Sequence, residues 1–172
     1  MLAHSPTPVG KVRQVASGTP ATALLRKVKV PFTLHPYVHV AAADSYGDEA
    51  AAALGIARER IFKTLIVSVD KRLACGVVPV AGRLDLKAFA AAIGGKRAEL
   101  AEPAAAARST GYVVGGISPL GQKTRLPVVL DASALTFQTM YVSAGRRGLQ
   151  VELVPTDLVR LTQARVAPIA AG

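Results

Sequence analysis

Residues 62–80, FKTLIVSVDKRLACGVVPV, hold two nearly continuous apolar runs, the first ending in Asp70, with the charged pair Lys71-Arg72 between them. A connection that short admits an antiparallel hairpin and no crossover, so the runs read as paired strands with a turn at Lys71-Arg72. Neither run shows the polar alternation of a half-solvated strand, so both strands are expected to be mainly buried. The remainder of the chain has to cover them.

The flanking segments alternate irregularly. TPATALLRKVKV reads as a helix with Thr19 at the N-cap, Pro20 in the first turn and Pro31 as its stop. PFTLHPYVHV (31–40) reads as a strand, with Pro36 placing it near a sheet edge. GDEAAAALGI is a short helix with acids in its first turn and Gly55 at its end, and LDLKAFAAAIGG an amphipathic helix closed by Gly94 and Gly95. KRAEL, LPVVL, TMYVSA and LQVELV read as strands, EPAAAARS as a helix, and PTDLVRLTQA as a last helix with Thr156 as cap. Several strands follow one another without a helix, which argues against a doubly wound parallel sheet. The expected fold is α/β of the α+β type: one domain over residues 19–172, with a mixed, curled β-sheet or barrel-like core surrounded by helices. Residues 1–18, rich in Pro, Ser and Gly without periodicity, read as a disordered extension.

No run approaches the ~20 apolar residues of a membrane helix, and no secretory signal opens the chain, so a cytoplasmic address without a membrane partner is expected. Lys and Arg number 21 against 11 Asp and Glu, a surplus of +10 that favours a polyanionic partner, RNA first. Aromatic residues make up only 5% of the chain, too few for a platform that stacks several unpaired bases, so the surplus is read as a surface for the phosphate backbone.

Few residues carry obvious chemistry. His35 and His39 would share a strand face with Tyr37, but no acid or thiol nearby completes a metal set, and neither a metal nor a cofactor is expected. Cys75, the single cysteine, lies inside a buried strand and receives no catalytic role. Lys63 leads the first hairpin strand; in solvent it is an ordinary strand-end charge, whereas in a cleft it is a fixed cation for a developing oxyanion. Thr64 beside it would point to the opposite face of a regular strand. GGISPLGQKT (115–124) nearly spells a phosphate loop and a nucleophile elbow and completes neither: Gln122 stands where the loop needs lysine, and Leu120 where the elbow needs glycine. Ser118 reads as a turn residue. Gly115 and Gly116 let backbone N–H groups approach a ligand, which suits an acyl oxygen that gains charge.

STGYVVGGISPLGQKTRLP (109–127), with FKTL (62–65), YGDEAAAALGI (46–56), VPVAGRLDL (78–86) and YVSAGRRGLQVEL (141–153), resembles the YbaK family. These are bacterial Cys-tRNA(Pro)/Cys-tRNA(Cys) deacylases related to the editing insertion domain of prolyl-tRNA synthetases, and the likeness runs from Thr19 to about Ile169. The resemblance implies a trans-editing hydrolase that frees mischarged tRNA(Pro) of cysteine, with the substrate's own thiol as nucleophile and prolyl-tRNA synthetase as a candidate partner. It implies catalytic roles for Lys63, Gly115 and Gly116, and substrate-binding roles for Tyr37, Thr64, Ile117 and Ser118. Some members carry Asp where Gln150 stands, a departure that bears on specificity. Two other readings remain: a deacylase of Ala-tRNA(Pro) that uses water, and a noncatalytic module that binds tRNA or a synthetase.

Overall fold

The structure is a computed structural model that describes residues 18–40 and 45–172. The disordered extension read into residues 1–18 lies, but for Gly18, outside the described residues, as does His4.

Helix α1 (Pro20–Val28) begins as expected. Thr19 and Thr22 cap each other's backbone, and the Thr19 hydroxyl also donates to the Ala144 carbonyl at 2.6 Å. It ends before Pro31, because Lys29 takes the left-handed C-cap conformation at φ 59°. Strand β1 spans only Thr33–Pro36, far less than the ten residues read as strand, and α2 (Tyr46–Leu54) follows between Ser45 and Gly55 as caps.

The hairpin comprises β2 (Phe62–Val69) and β3 (Arg72–Pro79). Its turn is Asp70-Lys71, one residue earlier than expected, with φ of 49° and 70° and Val69 paired to Arg72. Left-handed φ at both central residues matches the twist of the strands, and Asp tolerates it better than most residues. The Asp70 carboxylate also accepts the backbone N–H groups of Lys96 and Arg97, which hold its pKa down. Past β4 (Arg83–Leu84), α3 (Leu86–Ile93) is capped by Asp85. Strand β5 (Ala98–Leu100), helix α4 (Pro103–Thr110) and strand β6 (Val128–Asp131) come next.

After a 3-10 turn (Ala132–Thr136) come β7 (Met140–Arg146) and β8 (Leu149–Leu153). Helix α5 (Pro155–Thr162) follows, with Val154 at its N-cap position and no side-chain cap, so Thr156 lies inside the first turn and does not cap it. Strands β9 (Arg165–Ala167) and β10 (Ala170–Ala171), which like β4 the pattern left unread, complete the described chain.

The architecture is mixed α/β, and the strands of the described residues form three sheets, none of them a closed barrel. One runs β5-β2-β3-β6-β9, antiparallel through β3 and parallel from β3 to β9; the others are β1-β8-β7 and β10-β4. Phe62, Ile66, Cys75, Val77, Val128 and Leu130 point to one side of the five-stranded sheet and pack with Leu25, Met140 and Leu158. Val67, Val69, Ala74, Val78 and Val129 point to the other side and pack on Phe89 and Ile169. Cover on both faces explains why the hairpin reads as continuously apolar. Among the described residues no helix is long and apolar enough to cross a membrane.

Cys75 is fully buried, and burial pushes its thiol up to about 12. The folded protein is therefore expected to resist a thiol-specific reagent at pH 8 and to label fully in denaturant; rapid native labelling would contradict this burial.

Candidate active site

Strand β5 pairs with only the far end of β2, at Val67–Val69, and its successor Ala101 donates to the Ile66 carbonyl at 2.9 Å. Upstream, the β5-facing edge of β2 opens on a cavity of about 360 Å³. The Ile61 carbonyl accepts the Val80 N–H on the β3 side, so in an alternating antiparallel ladder the N–H and C=O of Thr64 face the open edge. Lys63 and Thr64 both line this space, because it runs along the strand's edge and takes side chains of both parities. The expected separation of these two neighbours onto opposite faces thus does not keep Thr64 out of the site.

The other walls come from distant segments. The start of α2 supplies Tyr46 and Gly47, the loop after α4 supplies Val114, Gly115 and Ile117, and the start of α4 adds Pro103 and Ala106. Ser143 of β7 and Gln150 of β8, cross-strand partners, contribute two polar side chains.

Lys63 is half-buried, and this loss of hydration lowers its pKa, opposed by the Asp48 carboxylate and reinforced by Arg58 and Arg83. Asp48 is itself held below its usual range by the Arg58 guanidinium, at 2.7 Å. Among the described residues the Lys63 ammonium makes no side-chain hydrogen bond or contact ion pair, and the Asp48 carboxylate acts on it only through space. Two buried side-chain atoms among the described residues have no hydrogen-bond partner, Thr64 Oγ1 and Gln150 Oε1, and both residues line this cavity. A polar atom withdrawn from water without a partner costs roughly 1–3 kcal/mol, a penalty that a ligand supplying the missing partner removes.

Of the expected site residues, the fold brings Lys63, Thr64, Gly115 and Ile117 together around the cavity. Gly116, Ser118 and Tyr37 lie outside its lining. Gly116 N–H already donates to the Val113 carbonyl at 2.9 Å, which removes the donor expected of it. A Cβ on Gly116 would come within 2.8 Å of the Arg146 Cα, so this glycine serves contact with the backbone of β7. Ser118 is fully buried and its hydroxyl accepts the Leu120 N–H, a turn contact as expected. Tyr37 lies just beyond β1, its amide bound to the Gly148 carbonyl at 2.9 Å. Burial raises the pKa of its phenol, which makes a polar contact with the Gln150 side chain, so Tyr37 backs the cavity's polar wall.

Because β1 ends at Pro36, the strand alternation that would align His35, Tyr37 and His39 does not extend through them. His35 Nε2 meets Glu152 at 2.9 Å and His39 Nδ1 meets Glu49 at 2.8 Å. The described cavity lining contains no His, Cys, Asp or Glu. Its serine hydroxyls are engaged with backbone: Ser45 Oγ accepts the Asp48 N–H and Ser143 Oγ the Gly145 N–H. The described lining thus offers a cation, polar groups and shape, without a paired nucleophile and base.

Sequence reasoning missed Tyr46, Ser143 and the full part played by Gln150. A signal existed for the last two, since Ser143 and Gln150 are polar residues each flanked on both sides by apolar ones, Val142 and Ala144, and Leu149 and Val151.

The chain matches the family described as aminoacyl-tRNA editing domain over residues 40–161. It is 35% identical, over 156 residues, to a protein of Enterococcus faecalis with the provisional name Cys-tRNA(Pro)/Cys-tRNA(Cys) deacylase EbsC; the match covers 88% of this chain and 92% of that one. A crystal structure provisionally described as a trans-editing enzyme for prolyl tRNA synthetase is 28% identical, with a TM-score of 0.72 over 82% of this chain and 87% of the other. A crystal structure of a hypothetical protein, APE2540, is 27% identical, with a TM-score of 0.80 over 89% of this chain and all of its own.

Proposed function

The chain belongs to the aminoacyl-tRNA editing family as a YbaK-type deacylase, and from that premise we propose that it releases cysteine from Cys-tRNA(Pro), the cysteine's own thiol being the attacking group. The observation that carries this reading is the coincidence of Lys63, orphaned Thr64 Oγ1 and orphaned Gln150 Oε1 in one cavity whose described lining holds no nucleophile–base pair. At about 360 Å³ the cavity lies near the lower end of small-molecule sites, which suits an aminoacyl group with its ribose and excludes the body of a tRNA.

In the proposed reaction the sulfur attacks the ester carbonyl carbon and a carbon–sulfur bond forms. The bond from that carbon to the ribose oxygen breaks, and the thiol's proton ends on the ribose hydroxyl of the freed tRNA. The resulting four-membered thiolactone opens with water to cysteine. Lys63 stabilises the negative charge that builds on the carbonyl oxygen, and the unpaired groups of Thr64 and Gln150 hold the aminoacyl moiety in attacking geometry. Gly115 and Ile117 form the wall against which the ester rests. The formal charge of +10 attracts the acceptor stem, so affinity falls as salt rises.

The test is a panel of tRNAs charged with cysteine, serine or alanine. Cysteine is expected to leave fastest and serine far more slowly, because a hydroxyl is a much weaker nucleophile than a thiol. Equal rates for cysteine and serine would exclude attack by the substrate sulfur. Preferential release of alanine would instead identify water as nucleophile, and salt-sensitive binding without turnover on any ester would leave a binding module.

A further inference from the structure

Arg147 stands in the turn between β7 and β8 and does not line the cavity, yet its contacts reach the cavity's rim. Its Nε and Nη2 both donate to the Val114 carbonyl oxygen, at 2.9 and 2.6 Å. Its guanidinium lies over the Tyr46 ring, 4.9 Å from the centroid. That ring packs against Gly115, where a Cβ would come within 2.8 Å of three ring carbons. One side chain therefore joins three segments distant in sequence: the β7–β8 turn, the loop after α4 and the first turn of α2. Tyr46, Val114 and Gly115 all line the cavity.

We infer that Arg147 is a positioning residue of this site, its guanidinium clamping the Val114–Gly115 wall against Tyr46 and so fixing the mouth through which an aminoacyl ester enters. The planar fork carries the argument. A lysine at this position keeps the charge but neither forks onto one carbonyl oxygen nor stacks its head group on a ring.

An arginine at the rim of an RNA-binding enzyme has an obvious competing role, contact with a phosphate, and the two roles have opposite signatures. Loss of a phosphate contact raises KM, reduces the salt dependence and is largely restored by lysine. Loss of a clamp disturbs the geometry of the bound ester, so kcat falls, KM and its salt dependence persist, and lysine does not restore activity.

Arg147→Lys and Arg147→Ala are to be compared with the wild-type chain in deacylation of Cys-tRNA(Pro) at two salt concentrations. Amide hydrogen exchange at Gly116, whose N–H closes the Val113 turn, is followed in parallel. Both variants are expected to lose about tenfold in kcat and to exchange the Gly116 amide about tenfold faster, with KM and melting temperature little changed. Wild-type kcat and wild-type Gly116 protection in Arg147→Lys would overturn the clamp, as would an effect confined to a salt-dependent KM. Should Arg147→Ala fail to fold, Arg147→Lys decides the matter alone. The kinetic readout rests on the deacylase reading, whereas the exchange readout needs no substrate. A wild-type chain inactive on every charged tRNA would therefore sink that reading and leave the clamp to be decided by Gly116.

Discussion

Lys63→Ala is expected to slow the release of cysteine from Cys-tRNA(Pro) by on the order of 10²–10³-fold in kcat, with a smaller change in KM. The size follows from the environment of the ammonium group. Lys63 is withdrawn from water far enough to lower its pKa, and the Asp48 carboxylate acts on it through space without a contact ion pair, so its field remains available to charge that appears only as the ester reacts. Turnover unchanged in Lys63→Ala would remove the cation from the mechanism.

The same desolvation sets two pH effects. In the proposed reaction the protonated form of Lys63 is the useful one, and its fraction falls as pH rises through a pKa below the ordinary 10.5. Activity should accordingly decline on the alkaline side sooner than an ordinary lysine would allow. For stability the sign is opposite to that of a lysine gaining a partner. Between the lowered folded pKa and the unfolded one, the unfolded chain binds more protons, so the lysine's contribution to stability improves as pH rises through that window. Lys63→Met should therefore melt slightly higher than wild type near neutral pH, by on the order of 1 °C, while losing activity. A lower melting temperature would show that Lys63 stabilises the fold.

Gly121→Ala is expected to destabilise the fold far more than a left-handed backbone conformation alone would require. Gly121 has φ +68°, and a Cβ would come within 2.7 Å of the Pro20 carbonyl carbon and oxygen. Those atoms open α1, whose cap Thr19 is fixed to Ala144, so the obstacle is backbone that cannot swing aside. Left-handed strain of roughly 1–2 kcal/mol and overpacking of about 1–3 kcal/mol both act, which predicts a fall in Tm of about 10 °C. Gly55→Ala is the control. Its φ is +67°, nearly the same, but nothing lies within 4 Å of the added carbon. Only the backbone strain should appear there, and the difference between the two variants isolates the packing. Equal losses of Tm would mean that contact with α1 contributes nothing.

These glycines show where sequence reasoning reached and where it stopped. A string with glycines at 115, 116 and 121 announces close backbone approach, but not what is approached. In the folded chain Gly115 meets the Tyr46 ring, Gly116 the backbone of β7 and Gly121 the start of α1. The loop is thus pressed against the protein's own segments, and of this string only Gly115 and Ile117 line the cavity. The hairpin was legible because two apolar runs and a short connection leave one arrangement. Its turn was misplaced by one residue because Lys71-Arg72 looks more solvent-loving than Asp70-Lys71, although backbone φ decides the turn. Strand β9 escaped notice because Arg165–Ala167 is short and pairs in parallel with a strand more than thirty residues earlier in the chain.

Local chemistry in the chain was enough to determine the N-cap of α1, the Gly55 end of α2, the buried hairpin, the buried cysteine and the presence of a lysine out of place at the head of an apolar strand. Tertiary structure alone decided that β5 stops short of pairing with the start of β2, which leaves an open edge where Lys63 and Thr64 share one cavity. It also decided that Tyr46, Gly115, Ser143 and Gln150 meet there. The reason is physical: a cap or a turn is settled by residues a few positions apart, whereas an unpaired strand edge is defined by where every other strand goes.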